Sequence, residues 1–221
     1  MLDIIEAESG PDPTATILIL HGLGADGNDF VPIAQQLDLG QVGAVRFIFP
    51  HAPVMPVTIN NGLRMRAWYD ILSFEADAPQ DEAGLRRSQQ LVEALLQREK
   101  ERGIPAHRIV LGGFSQGCAM SLLTGLRHAE RLAGIMGLSG YLPLADRTAA
   151  ERSEASLRTP IFLAHGTHDE VVALDRAEAS RDALRALGHE VEWHEYLMGH
   201  AVTPLEVEEL NAWLLRALSA A

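Results

Sequence analysis

The stretch "RIVLGGFSQGCAMSLLTGL" (residues 108–126) sets one serine, Ser115, between Gly113 and Gly117. An apolar run precedes it and a helical pattern follows it. A strand that turns at once into a helix forces the turning residue into a strained backbone, and atoms two positions to either side crowd together. Only glycine fits comfortably there, and the turn lifts the hydroxyl clear of the sheet edge. The new helix aims its free N–H groups and the positive end of its dipole at whatever the serine attacks. "GLSGY" shows the contrast: Gly137 lies two before Ser139, but Tyr141 takes the second glycine's place. Ser139 is read as structural.

Working outward, short apolar runs alternate with amphipathic stretches. Strands are expected at 14–20, 44–49, 108–113, 132–139, 160–166 and 190–197. A helix is expected over 81–102, with Leu85, Val92, Leu95 and Leu96 on one face; others run from Asp175 to Leu187 and onward from Thr203. Strands alternating with helices imply βαβ crossovers: an α/β protein with a doubly wound, mostly parallel sheet and helices on both faces. "INNGLRMRAWYD" (59–70) breaks the rhythm as a tight turn in an excursion from the sheet, and 70–82 reads as a surface loop. Neither is a second domain, so residues 1–221 are read as one domain.

A serine hydroxyl is a poor nucleophile near neutral pH. It needs a histidine to take its proton and a carboxylate to hold that histidine. In a sheet of this kind the order along the chain is Ser, acid, His, each at the carboxyl end of a later strand. Asp169 fits the acid, lying in the turn "HGTHD" after the strand "IFLA". Asp175, with Glu178 three on, looks like a capping box; Asp146 reads as a cap and Asp182 as solvated. Among histidines, His189 is expected at the surface and His194 inside a strand. His200 lies in the loop before a helix start built from Thr203 as N-cap, Pro204 and Glu206. It is the expected base. His165 and His168 have the wrong spacing for one helix face, and no cysteine or acidic cluster completes a metal site, so no metal is expected. For the oxyanion, the N–H of Gln116 and that of Leu23, in the Gly-rich "LILHGLGADGNDF" (18–30), are the expected donors. Each such donor is worth roughly 3 kcal/mol in the transition state.

Together "HGLGADGNDF", "FPHAPVMPVTINNGLRMRAWYDI", "GGFSQGCAMSL", "HGTHDEVV" and "MGHAV" resemble the carboxylesterase and acyl-protein thioesterase family of α/β-hydrolases, across positions 21 to 202. The resemblance implies Ser115 as nucleophile, Asp169 as acid, His200 as base, and Leu23 and Gln116 as oxyanion amides. It also implies a hydrolase of esters and thioesters with no cofactor and no large lid domain. One departure is Cys118, where the family has a second glycine; it is read as a small buried residue.

The expected activity is hydrolysis of carboxylic esters of small to medium acyl chains through an acyl-enzyme. The alternatives are an acyl-protein thioesterase or a lysophospholipase, acting on acylated protein or lysophospholipid. Ile71, Leu72 and Phe74 could form an apolar flap over the acyl chain, with Val171 and Val172 as a further wall; ordinary core contacts would explain them equally. Trp68, Tyr69 and Asp70 read as scaffold. A non-catalytic binding protein would lack a triad member, and none is missing; a peptidase would carry an added domain.

The net charge of −12 argues against nucleic acid and anionic membranes as partners. One cysteine rules out an internal disulfide. The start "MLDIIEAESG" lacks a signal-peptide pattern, and no apolar run is long enough for a stable membrane insertion, so a cytoplasmic location is expected. An exposed apolar patch near the flap could support a homodimer.

Overall fold

The computed structural model describes residues 2–73 and 78–219. The chain runs β1 (Ile4–Glu8), β2 (Ala15–Leu20), α1 (Val31–Ala34), β3 (Val45–Pro50), β4 (Val54–Val57) and β5 (Leu63–Arg66). It continues through α2 (Glu82–Glu101), β6 (Ile109–Phe114), α3 (Gln116–Gly125), β7 (Gly134–Leu138), α4 (Ala145–Glu151), β8 (Ile161–Gly166), α5 (Leu174–Ala186), β9 (Val191–Tyr196) and α6 (Pro204–Ser219). Seven strands form one sheet in the order β1-β3-β2-β6-β7-β8-β9. All pairings are parallel except β1 against β3.

The central strands are apolar on both faces because both faces are covered. Every residue of β2 is buried. Its Leu18 and Leu20 pack with Leu85, Val92, Leu95 and Leu96 of α2, the expected helix face, and with residues of α3 and α5. Its Ile17 and Ile19 join Phe30 beside α1 and Leu210, Trp213 and Leu214 of α6 on the opposite face. Side chains that alternate along a strand thus feed two cores. All ten residues of α3 are buried, so the helix that follows Ser115 has no wet face.

β1 was not expected. Ile4 and Ile5 are half-buried and Glu6 to Glu8 exposed, as suits an edge strand, and Glu6 and Glu8 leave the apolar pattern to reach cations. Glu8 accepts from Arg46 at 2.9 Å and Glu6 from Arg102 at 2.7 Å. The turn in "INNGL" forms as expected, with Asn61 and Gly62 at φ 54° and 76°, and it joins β4 to β5 in an antiparallel hairpin.

Three local expectations need correction. Asp175 does not cap: α5 starts at Leu174 after Ala173, without a side-chain cap bond, and Asp175 falls inside the first turn. Asp146 likewise lies in the first turn of α4, whose N-cap is Leu144 in the left-handed region. Both acids face the positive helix end instead of bonding to it. His189 is buried, at 4 % exposure. Gly188 (φ 86°) folds the chain back, and the His189 N–H donates to Leu184 O at 3.1 Å; burial holds its imidazole below the ordinary value. The start of α6 is as expected: the Glu206 N–H donates to Thr203 Oγ1 (3.3 Å), and the Thr203 N–H donates to Glu206 Oε2 (3.4 Å).

Candidate active site

Ser115 sits at φ 55°, ψ −116°, a region that non-glycine residues avoid and that costs about 1–3 kcal/mol to hold. The neighbours over-determine it. Its N–H donates to Leu138 O on β7 at 2.8 Å. A Cβ on Gly113 would lie 2.4 Å from the Gly117 carbonyl, and one on Gly117 would lie 2.0 Å from Leu20 O. The two glycines flanking Ser115 are therefore required by backbone against backbone, with no flexible side chain to yield.

Asp169 follows β8 and is buried to 8 % exposure. Its Oδ1 accepts the N–H groups of Val171 (2.8 Å) and Val172 (2.9 Å). Its Oδ2 lies 2.7 Å from His200 Nδ1, in the loop between β9 and α6. An imidazole so held donates from Nδ1 and keeps Nε2 as acceptor, the tautomer a general base requires. The His200 ring packs on Phe114, the residue before Ser115, with centroids 4.7 Å apart. The half-buried Ser115 hydroxyl has no hydrogen-bond partner among the described residues. Serine–histidine bonds of this kind commonly tighten only when substrate is bound.

The loop after β2 lies directly on Ser115: a Cβ on Gly22 would be 3.3 Å from the Ser115 Cβ. Leu23 follows it. Neither the Leu23 nor the Gln116 N–H donates to an acceptor among the described residues. His21 fixes the loop's root. Its ring takes the Ala52 N–H at Nε2 (3.0 Å) and meets Gly22 O through Nδ1 (2.7 Å), and the His21 carbonyl accepts the Trp68 indole N–H at 2.9 Å. Burial lowers the His21 pKa, which suits a neutral ring that accepts on one side and donates on the other.

Sequence reasoning missed three supports. The buried Gln116 side chain accepts the Trp68 N–H and donates to Tyr69 O, both at 2.8 Å. His165 lies 3.4 Å from Asp169 Oδ2 and donates from Nε2 to Val172 O at 2.8 Å; burial keeps its pKa low. His21 is the third. The two histidines shared a visible signal, since "LILHG" and "FLAHG" each end a buried strand in His-Gly. His168 turns away toward Thr167. Among the described residues no group of three or more His, Cys, Asp or Glu side chains could hold a metal.

The expected acyl-binding residues divide. Ile71 is half-buried against the core and Val172 is buried. Leu72 and Val171 are exposed, at 41 % and 49 %. Phe74 lies outside the described residues. Trp68 and Tyr69 are buried scaffold, and the Tyr69 hydroxyl bonds that of Tyr141 at 2.7 Å. Cys118 is buried beside Gly140, and burial pushes its thiol up to about 12.

Comparison with known proteins bears on the family and the fold. The family model described as Phospholipase/Carboxylesterase matches residues 3–217. The chain is similar to acyl-protein thioesterase 1 of Yarrowia lipolytica, 42 % identical over 91 % of this chain and 91 % of that one. Among solved structures it is similar to Arabidopsis thaliana SOBER1, with TM-score 0.88 and 32 % identity over 92 % of this chain and 99 % of that one. It is similar also to Zea mays acyl-protein thioesterase 2, with TM-score 0.84 and 31 % identity over 97 % and 99 % of the two chains.

Proposed function

Because the chain belongs to the phospholipase and carboxylesterase family of α/β-hydrolases, and is thus a hydrolase, we propose that it cleaves acyl thioesters on proteins, with Ser115 as nucleophile, His200 as base and Asp169 as orienting acid. Relatives about 40 % identical over more than nine-tenths of the chain are named acyl-protein thioesterase 1. They favour the thioesterase alternative over the small-to-medium carboxylic ester as the main substrate. Ester cleavage uses the same steps and is retained as a second activity.

Ser115 Oγ attacks the acyl carbon while His200 Nε2 takes its proton. The oxyanion rests on the Leu23 and Gln116 amides. The thiol leaves with the proton from His200; a thiolate, a weak base, needs less help than an alkoxide. Water, activated by His200, then releases the acid and restores Ser115. The observation that carries this reading is the Asp169 carboxylate, which has its backbone bonds on one oxygen and His200 on the other. That arrangement fixes the imidazole tautomer before substrate arrives.

The partner inferred is an S-acylated protein in the cytoplasm, met by residues 1–221 as one hydrolase domain. No helix among the described residues is long and apolar enough to cross a membrane. The test is labelling with a fluorophosphonate, together with release of free thiol from an S-octanoyl peptide. Wild type is expected to label and to hydrolyse, and Ser115→Ala to do neither. Hydrolysis retained by that variant would overturn the assignment.

A further inference from the structure

Leu23 lies between two peptide groups that are both tied down. On one side the His21 ring donates from Nδ1 to Gly22 O at 2.7 Å. On the other the Gly24 N–H donates to Arg66 O at 2.9 Å. Ala52 joins the two ties. Its N–H donates to His21 Nε2 at 3.0 Å, and its carbonyl accepts from Arg66 Nη1 at 2.9 Å. The bonds thus close a ring through His21, Ala52, Arg66 and Gly24 around the Leu23 amide.

The partners leave the His21 ring one tautomer. A backbone N–H only donates, so Nε2, which meets Ala52, carries no proton. A carbonyl only accepts, so the proton of the neutral ring sits on Nδ1, against Gly22 O. The ring is 1 % exposed and packs on Trp68 with centroids 5.4 Å apart. Burial lowers its pKa and so keeps it neutral.

Gly22 O and the Leu23 N–H belong to the same peptide group. That group is planar and trans, so its C=O and N–H point in opposite directions. Holding the carbonyl on His21 therefore aims the N–H away from His21. Gly22 itself lies against the nucleophile, where an added Cβ would be 3.3 Å from the Ser115 Cβ. The Leu23 N–H has no acceptor among the described residues. Were this one peptide to flip, a carbonyl would stand in place of the N–H and repel a developing oxyanion. A peptide whose carbonyl accepts a hydrogen bond is also polarised into a stronger donor.

We propose that His21 is a positioning residue for the oxyanion: its Nδ1–H, through Gly22 O, orients and polarises the Leu23 N–H. This rests on the reading of Ser115 as nucleophile and Leu23 as oxyanion donor.

Two amide side chains separate the roles of the two ring nitrogens. In His21→Asn the amide N–H takes the place of Nδ1–H, and the Ala52 bond is lost. In His21→Gln the amide reaches the place of Nε2 and accepts from Ala52, and the Gly22 bond is lost. The experiment measures kcat and KM on the S-octanoyl peptide, with melting temperatures, for wild type and both variants. For His21→Gln, kcat is expected to fall about 100-fold with KM little changed, the mark of an interaction made in the transition state. For His21→Asn the loss is expected to be about tenfold smaller, even where the two variants melt alike. Equal kcat losses in the two variants, losses that merely follow the melting temperature, or His21→Gln at the wild-type kcat would overturn the role of His21 alone. Should His21→Gln not fold, the ring protons of the wild type decide. Long-range proton–nitrogen correlation spectra are expected to show a neutral His21 protonated on Nδ1, and protonation on Nε2 overturns the proposal. A wild type that neither labels with fluorophosphonate nor hydrolyses the peptide would overturn the Ser115 reading, and this proposal with it.

Discussion

Gln116 holds the backbone of Trp68 as a neighbouring strand would: its side-chain oxygen accepts the Trp68 N–H at 2.8 Å, and its amide nitrogen serves the next carbonyl. The residue whose own N–H faces the candidate oxyanion is thereby tied to the segment that leads into Ile71 and Leu72. Gln116→Ala would leave two buried backbone groups without partners, at a cost of roughly 1–3 kcal/mol each. The expected outcome is a lower melting temperature with KM rising more on octanoyl than on acetyl substrates. Thermal melts and steady-state kinetics on the two substrates check it.

The backbone of Ser115 makes a second, opposed prediction. At φ 55° and ψ −116° a glycine is at ease, so Ser115→Gly should abolish hydrolysis while raising stability by about 1 kcal/mol. Gly117→Ala should do the reverse of what its small size suggests and prevent folding, since the added carbon meets Leu20 O at 2.0 Å. Activity assays and melting curves of the pair decide both.

Asp169→Asn should preserve the fold and lose the chemistry. The amide oxygen can still accept from Val171 and Val172, but the amide nitrogen would then face His200 Nδ1 and select the wrong tautomer. A fall in kcat of roughly 10³–10⁴ is expected, as in serine hydrolases at large. Fluorophosphonate labelling rates should slow in parallel.

Glu206 supplies a pH prediction. Its side chain is fully buried, one oxygen is unpartnered, and burial raises its pKa to about 7. The unfolded carboxyl titrates near 4.5. Between those values the folded protein holds a proton that the unfolded chain releases, so stability falls as pH rises through the interval. The penalty, on the order of 3 kcal/mol, is complete above the folded value. Glu206→Gln keeps the capping geometry and should raise the melting temperature at pH 8 while changing it little at pH 4. Calorimetry across that range checks the sign.

Much of this was legible before folding. The doubly buried strands announce themselves because β2 and β6 need apolar residues on both faces, and Ser115 because its glycines answer to backbone crowding inside one short turn. Thr203 and Glu206 are equally local. What escaped is non-local or masked by compensation. β1 hides its edge role because Glu6 and Glu8 find cations from other elements. His189 looks like a surface residue after a helix-ending glycine until Leu184 draws its backbone in. Asp175 misled because a helix capped two residues earlier, at Ala173, turns a cap into a first-turn acid.

Cys118 lies in the first turn of α3, packed beside Gly140, and burial keeps its sulfur protonated far above neutrality. An acyl group on Ser115, as proposed, would have no internal thiolate to migrate to. A buried thiol held in its protonated form resists alkylation, so insensitivity to iodoacetamide is the expected outward sign of that silence.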